Sequence, residues 1–122
     1  MLPSFMRRIE FYRTAGGRSP VEEFLDELTQ RDQDKVFWVM QLVEELDMVP
    51  SQYFKKLVST SDIWEIRVHI GGSSYRLLGF MDGATLVVLT NGFSKKDQKT
   101  PTREIALAEQ RRSEYLQRRK QS

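Results

Sequence analysis

The 122-residue sequence predicts an α+β fold: a curved antiparallel sheet with two helices packed on one face and a C-terminal helix near its edge. Three observations lead there. Two amphipathic helical stretches occupy the first half of the chain. Alternating strand patterns, separated by Gly71-Gly72 and Asp82-Gly83 turns, follow them. A proline-started helical stretch then closes the sequence.

The elements follow in order. Residues 5–12 read as a first strand, closed by the Gly16-Gly17 turn. Ser19-Pro20-Val21-Glu22 is a capping box with proline at the first helical position, where its missing N–H costs nothing. Val21, Phe24, Leu25 and Leu28 then recur at helical spacing, and Glu22, Glu23, Asp26 and Glu27 fill the opposite face. A second helix is expected over 32–47, with a wide apolar stripe from Val36 to Leu46 and with Phe37 and Trp38 falling off its edges. Pro50 ends the helical region. Residues 53–57, 63–70, 75–81 and 85–91 read as the strands of an antiparallel meander. Thr100-Pro101 supplies a cap and a first-turn proline for the last helix, which carries Ile105, Ala108, Tyr115 and Leu116 among many charges.

Residues 1–122 read as one domain, because a chain of this length with 39% hydrophobic residues supports one core. With no cysteine there is no disulfide, thiol nucleophile or thiolate metal site. The start of the chain lacks a secretory apolar segment, and the apolar run over 86–89 is far shorter than the roughly 20 residues that cross a bilayer. The expectation is a cytoplasmic protein that does not engage the membrane. Net charge is +2, but residues 1–50 carry 6 basic and 10 acidic side chains and residues 51–122 carry 13 and 7. The second half is therefore expected to face a polyanion.

Side-chain alternation over 63–70 places Trp64, Ile66, Val68 and Ile70 on a core face and Glu65, Arg67 and His69 on the other. A hairpin of two or four loop residues within 71–74 brings Arg76 onto the face of Arg67. Neighbouring guanidinium groups repel, so such a pair suits a bound anion, and phosphate fits; an ordinary ion pair of Glu65 with either arginine on a solvated face accounts for the pattern equally well. Lys55 and Lys56 precede this hairpin, and Lys95, Lys96 and Lys99 follow the last strand, where they could hold an RNA backbone with Phe93 stacking on a base. His69 is the only histidine, so a zinc site would need carboxylates for nearly all its ligands; no metal and no cofactor is expected.

Ser19-Pro20-Val21-Glu22-Glu23-Phe24-Leu25, Tyr53-Phe54-Lys55-Lys56-Leu57, Ile63-Trp64-Glu65-Ile66-Arg67, Tyr75-Arg76 and the run from Gly92-Phe93-Ser94-Lys95-Lys96 to Thr100-Pro101 together resemble the phage-derived HigB-like branch of the RelE/ParE toxins, over nearly the whole chain. The resemblance implies a RelE-like fold. It also implies a ribosome-dependent messenger RNA endoribonuclease that inhibits translation and is restrained by a cognate antitoxin, commonly a helix-turn-helix protein. Cleavage of that kind needs a base for the ribose 2′-hydroxyl, cations for the phosphorane and an acid for the leaving 5′-oxygen. Glu65 is then the candidate base, Arg67 and Arg76 the clamp, and Lys95, Lys96 and Lys99 the RNA-positioning group. His69, with an ordinary pKa near about 6.5, is chemically suited to the acid role. The sequence departs from some relatives in carrying Asn91 where they have a histidine, and amides do not titrate near neutrality. A ParE-like protein that poisons DNA gyrase without chemistry, and an inactive regulatory partner, share the fold and stay open.

Overall fold

The computed structural model describes residues 6–96 and 99–121. Its elements are β1 (Arg8–Phe11), α1 (Pro20–Asp26), α2 (Gln30–Glu45), β2 (Phe54–Lys56), β3 (Ile63–Ile70), β4 (Ser73–Asp82), β5 (Leu86–Ser94) and α3 (Thr102–Lys120). Phe5, expected at the start of the first strand, lies outside the described residues.

One five-stranded sheet runs β1-β5-β4-β3-β2. It is mixed, which corrects the antiparallel expectation: β2 to β5 form the meander, and β1 joins the far edge parallel to β5. The chain leaves β1, folds α1 and α2 across one face and returns at the opposite edge, so the first and last strands become neighbours running in one direction. Hydrophobic alternation sets which face a residue occupies but carries no mark of strand direction.

Two cores lie on the two faces. Val21 and Leu25 of α1 and Val36, Val39, Met40 and Val43 of α2 pack with Phe54, Ile66, Val68, Leu77, Val87 and Leu89. On the other side Ala108, Ile105 and Tyr115 of α3 pack with Ile63, Leu78, Phe80, Val88 and Tyr12. The last helix therefore lies over central strands and not near an edge, as the sequence had suggested. Its charged composition conceals this, because Arg111 and Arg112 place their guanidinium groups over the Tyr12 and Phe80 rings at 5.7 and 5.8 Å from the ring centres and their stems cover apolar surface.

Helix ends follow local chemistry. The Ser19 hydroxyl accepts from the Glu22 N–H at 3.3 Å, as the capping box predicts. Thr29 caps α2 by accepting from the Asp32 N–H, and the helix begins at Gln30, two residues ahead of the expected start. Helix α3 has no side-chain cap, and Pro101 occupies its cap position. The Thr100 hydroxyl, expected there, is used elsewhere.

A β-bulge shapes β5. Leu78 pairs with Asn91 and Gly79 with Leu89, which leaves Thr90 as an extra residue. The insertion reverses the alternation of β5, so Asn91 and Phe93 share the α3 face with Leu78 and Arg76, opposite which they lie. Gly92 then faces α1, where a Cβ would come within 2.5 Å of the Phe24 ring. At Gly79 a Cβ would meet the Val88 carbonyl oxygen at 2.3 Å and the Leu89 Cα at 3.0 Å, both backbone atoms.

The outer edge of β1 is partly occupied. The Ile9 N–H donates to the Glu44 carboxylate at 3.0 Å and the Arg7 N–H to the Glu44 carbonyl at 3.0 Å. At the opposite edge β2 is three residues long and ends in two exposed lysines.

Gly79→Ala is expected to destabilise the fold by about 3 kcal/mol, because backbone and not a movable side chain blocks the new methyl. Urea denaturation reads this directly, and Gly92→Ala should cost less, since the Phe24 ring can shift. Equal losses at the two positions would contradict the bulge as described.

Candidate active site

Helix α3 covers only part of its sheet face. Beyond it, toward the Gly71-Gly72 turn, the face opens into a cleft of about 460 Å³ lined by Arg67, His69, Gly72, Ser74, Arg76, Lys95 and Lys96.

The two-residue turn pairs Ile70 with Ser73, and counting back from it sets Arg67 directly opposite Arg76 and His69 opposite Ser74. Under the arginines lies Glu65, with only 4% of its surface exposed. A single oxygen, Oε1, faces both guanidinium groups, 3.6 Å from Nε of Arg67 and 3.5 Å from Nε of Arg76. Both distances are too long for hydrogen bonds, and these two Nε atoms are buried without a hydrogen-bond partner. The other oxygen, Oε2, accepts the Thr100 hydroxyl proton. The side chain of Arg76 is 3% exposed and that of Arg67 30%. Arg76 is thus part of the interior, where both arginines were expected on an open polar face.

Arg76 donates through one terminal nitrogen to the Ser74 hydroxyl and to the Tyr75 carbonyl, each at 3.0 Å. The Ser74 hydroxyl also lies 3.1 Å from Nδ1 of His69, which links the imidazole to the guanidinium through one oxygen. Burial lowers the Arg76 pKa, the Glu65 carboxylate opposes that shift and the Arg67 charge adds to it; a guanidinium remains protonated all the same. His69 is exposed, and partial desolvation and then the charges of Arg76, Arg67 and Lys95 hold its imidazole below its ordinary value of 6.5. His69 is therefore neutral at neutral pH.

The remaining sequence candidates divide. Lys95 and Lys96 line the cleft, and the Lys95 N–H is fixed to the Ser74 carbonyl at 2.8 Å. Lys55 pairs opposite Glu65 and so belongs to the same sheet face. Lys56 pairs opposite Trp64 on the other face, 4.0 Å from Asp62. Phe93 sits opposite Arg76, half-buried against the α3 core. Lys99 is exposed and does not line the cleft. The Asp97 and Gln98 positions of the lysine-rich motif lie outside the described residues. Asn91 turns its amide to α3, donating to the Glu104 carbonyl at 3.3 Å and carboxylate at 3.0 Å. Among the described residues, no group of three His, Cys, Asp or Glu side chains converges as a metal site would require.

Sequence reasoning did not single out Ser74 or Thr100 as site residues. Ser74 had the signal of its register position opposite His69, two residues from Arg76. Thr100 had none, because a Thr-Pro pair before a helix reads as a cap.

In a ring-nitrogen NMR titration, His69 is expected to protonate with a midpoint below 6.5. Inorganic phosphate should move that midpoint up, since an anion offsets the cations that depress it. The sign for stability follows: the unfolded chain binds this proton more readily, so the contribution of His69 is complete above about pH 6.5 and is lost as pH falls through the lower folded midpoint. A midpoint at or above 6.5 in the free protein would remove the electrostatic picture of the cleft.

Among the described residues, no helix is long and apolar enough to cross a membrane. Compared with curated proteins, the chain matches none. A family model described as phage derived protein Gp49-like matches residues 23–113, which include α2, strands β2 to β5 and every residue of the cleft. With about three quarters of its length inside that match, the chain belongs to the phage-derived Gp49-like family.

Proposed function

We propose that this chain is the toxin of a type II toxin–antitoxin pair and that it inhibits translation by cleaving messenger RNA on the ribosome. Gp49-like proteins are a family with toxin-like character, in keeping with that role and with an antitoxin partner. The observation that carries the cleavage reading is the cross-strand pair Arg67 and Arg76, two cations sharing one carboxylate at the wall of a cleft that also holds Lys95 and Lys96. With one negative charge between two positive ones, the cluster keeps a net positive charge for a phosphodiester to neutralise.

In the proposed step the ribose 2′-oxygen attacks phosphorus, the bond from phosphorus to the 5′-oxygen breaks, and the products are a 2′,3′-cyclic phosphate and a 5′-hydroxyl. The arginines hold the phosphoryl oxygens as charge builds on them. Glu65 is the carboxylate nearest the clamp, but both its oxygens are engaged, so its part is to hold the two guanidinium groups. The 2′-hydroxyl proton passes to neutral His69 in the cleft, and the ammonium groups of Lys95 and Lys96 are the proton donors for the leaving 5′-oxygen. Such chemistry needs cations and not a metal-activated water, which would usually leave different ends. The second reading, a binder of a protein such as DNA gyrase, is favoured by Phe37 and Trp38, which are 46% and 44% exposed on α2.

Arg67→Ala is expected to abolish growth arrest with the fold retained, through loss of about 2–4 kcal/mol of transition-state stabilisation. Arg76→Ala strips a buried partner from Glu65 and should also destabilise the protein, so Arg76→Lys, which keeps the charge and loses the planar fork, is the cleaner variant. The reaction itself is tested by mapping messenger RNA ends from purified translating ribosomes with excess chelator, restoring only the magnesium the ribosome requires. Cyclic phosphate or 3′-phosphate ends paired with 5′-hydroxyls are expected. Intact messenger RNA with trapped gyrase–DNA complexes would promote the binder instead, and intact messenger RNA without them an inactive regulatory partner.

A further inference from the structure

The Thr100 hydroxyl stands one residue before the Pro101 cap of α3, where a threonine ordinarily serves the helix. Here it serves the sheet, donating to Oε2 of Glu65 on β3. The carboxylate beneath is almost wholly buried, and its second oxygen is shared between two guanidinium groups at 3.5 and 3.6 Å. That is an unusual arrangement for arginine and carboxylate, whose preferred geometry is a two-bonded fork.

We propose that Thr100 is the positioning residue that keeps this arginine pair available to an anion. By occupying Oε2, it prevents Glu65 from turning both oxygens toward one arginine. A fork would neutralise that arginine, draw it toward the sheet and leave the other with no partner below it. With Oε2 occupied, Glu65 attracts the two side chains equally and satisfies the Nε atom of neither. Both guanidinium groups then line the cleft together. Thr100 touches no reacting group and acts only through Glu65. The inference rests on the reading of the cleft as a phosphate site but not on RNA being cut there.

The test uses the purified full-length chain with inorganic phosphate as the probe, measured by calorimetry and by the Nε–Hε NMR signals of Arg67 and Arg76. In the parent, phosphate should shift both signals. Thr100→Val keeps the shape and removes the donor; it should weaken phosphate at least about tenfold, the scale of one lost hydrogen bond to a charged group. Its two arginine signals should separate, one moving to a hydrogen-bonded position. Thr100→Ser, which restores the hydroxyl, should return affinity and spectrum to near the parent. A merely structural role would lower the unfolding temperature without parting the two signals. If Thr100→Val folds poorly, Thr100→Ala offers the same loss of donor with less bulk. Equal phosphate affinity in the parent and Thr100→Val, or a serine variant as weak as the valine, overturns the proposal. A parent that does not bind phosphate overturns it together with the anion site itself, and that outcome is distinct from a parent that binds phosphate and leaves RNA intact.

Discussion

Thr90 is the extra residue of β5, and much of the polar end of the sheet depends on its being there. Were Thr90 paired in a regular ladder instead of bulged, Asn91 and Phe93 would point toward α1 and α2, and Gly92 would point toward α3. In the bulged strand the Thr90 hydroxyl lies within hydrogen-bond reach of the Leu78 carbonyl at 3.1 Å and of the Asn91 side-chain oxygen at 2.6 Å. The Thr90 carbonyl accepts from Arg111 at 2.9 Å, and Asn91 holds the first turn of α3 through Glu104. The bulge thereby sets where the last helix begins, and that start delivers Thr100 to Glu65. Gly79 leaves room for the bulge on the neighbouring strand. A perturbation at Thr90 would thus reach the cleft by two routes, through the register of β5 and through the docking of α3.

The charges in this cleft are held at some expense to stability. Burying a guanidinium beside another is unfavourable, and a single shared carboxylate offsets only part of it. A fold selected for stability alone would place apolar residues at 65 and 76, both of which are nearly closed to water. Charged residues at these positions set local stability against the rest of the core, a conflict that the proposed anion site would account for. After desolvation, the same charges add through space to the lowering of the His69 pKa.

Much of this was legible in the sequence, and the limits have physical causes. The span of β3 and the shared face of Arg67 and Arg76 could be read because alternation fixes the face for a loop of two or four residues; which register holds, and so that the two lie directly opposite, could not. The parallel placement of β1 was not legible, since direction leaves no trace in a four-residue pattern. Gly79 gave a signal, an isolated glycine in an otherwise apolar strand, that points to a bulge without saying which neighbour carries it. The depth of Arg76 was hidden, because alternation separates two faces and does not say how far a covering helix extends over each. Thr100 was hidden for a different reason: one hydroxyl can cap a helix or satisfy a carboxylate, and only the fold brings Glu65 within its reach.

The treatment of the sheet margins bears on how another protein can hold this one. A free strand edge invites a second chain to extend the sheet, backbone to backbone, with little regard for sequence. Along β1 that invitation is blunted by Glu44, whose carbonyl and carboxylate already take the N–H groups of Arg7 and Ile9. At the other margin β2 offers three residues, two of them lysine. Recognition is left to side chains, so a protein that binds here is selected by its sequence and not by the backbone pairing any strand can offer.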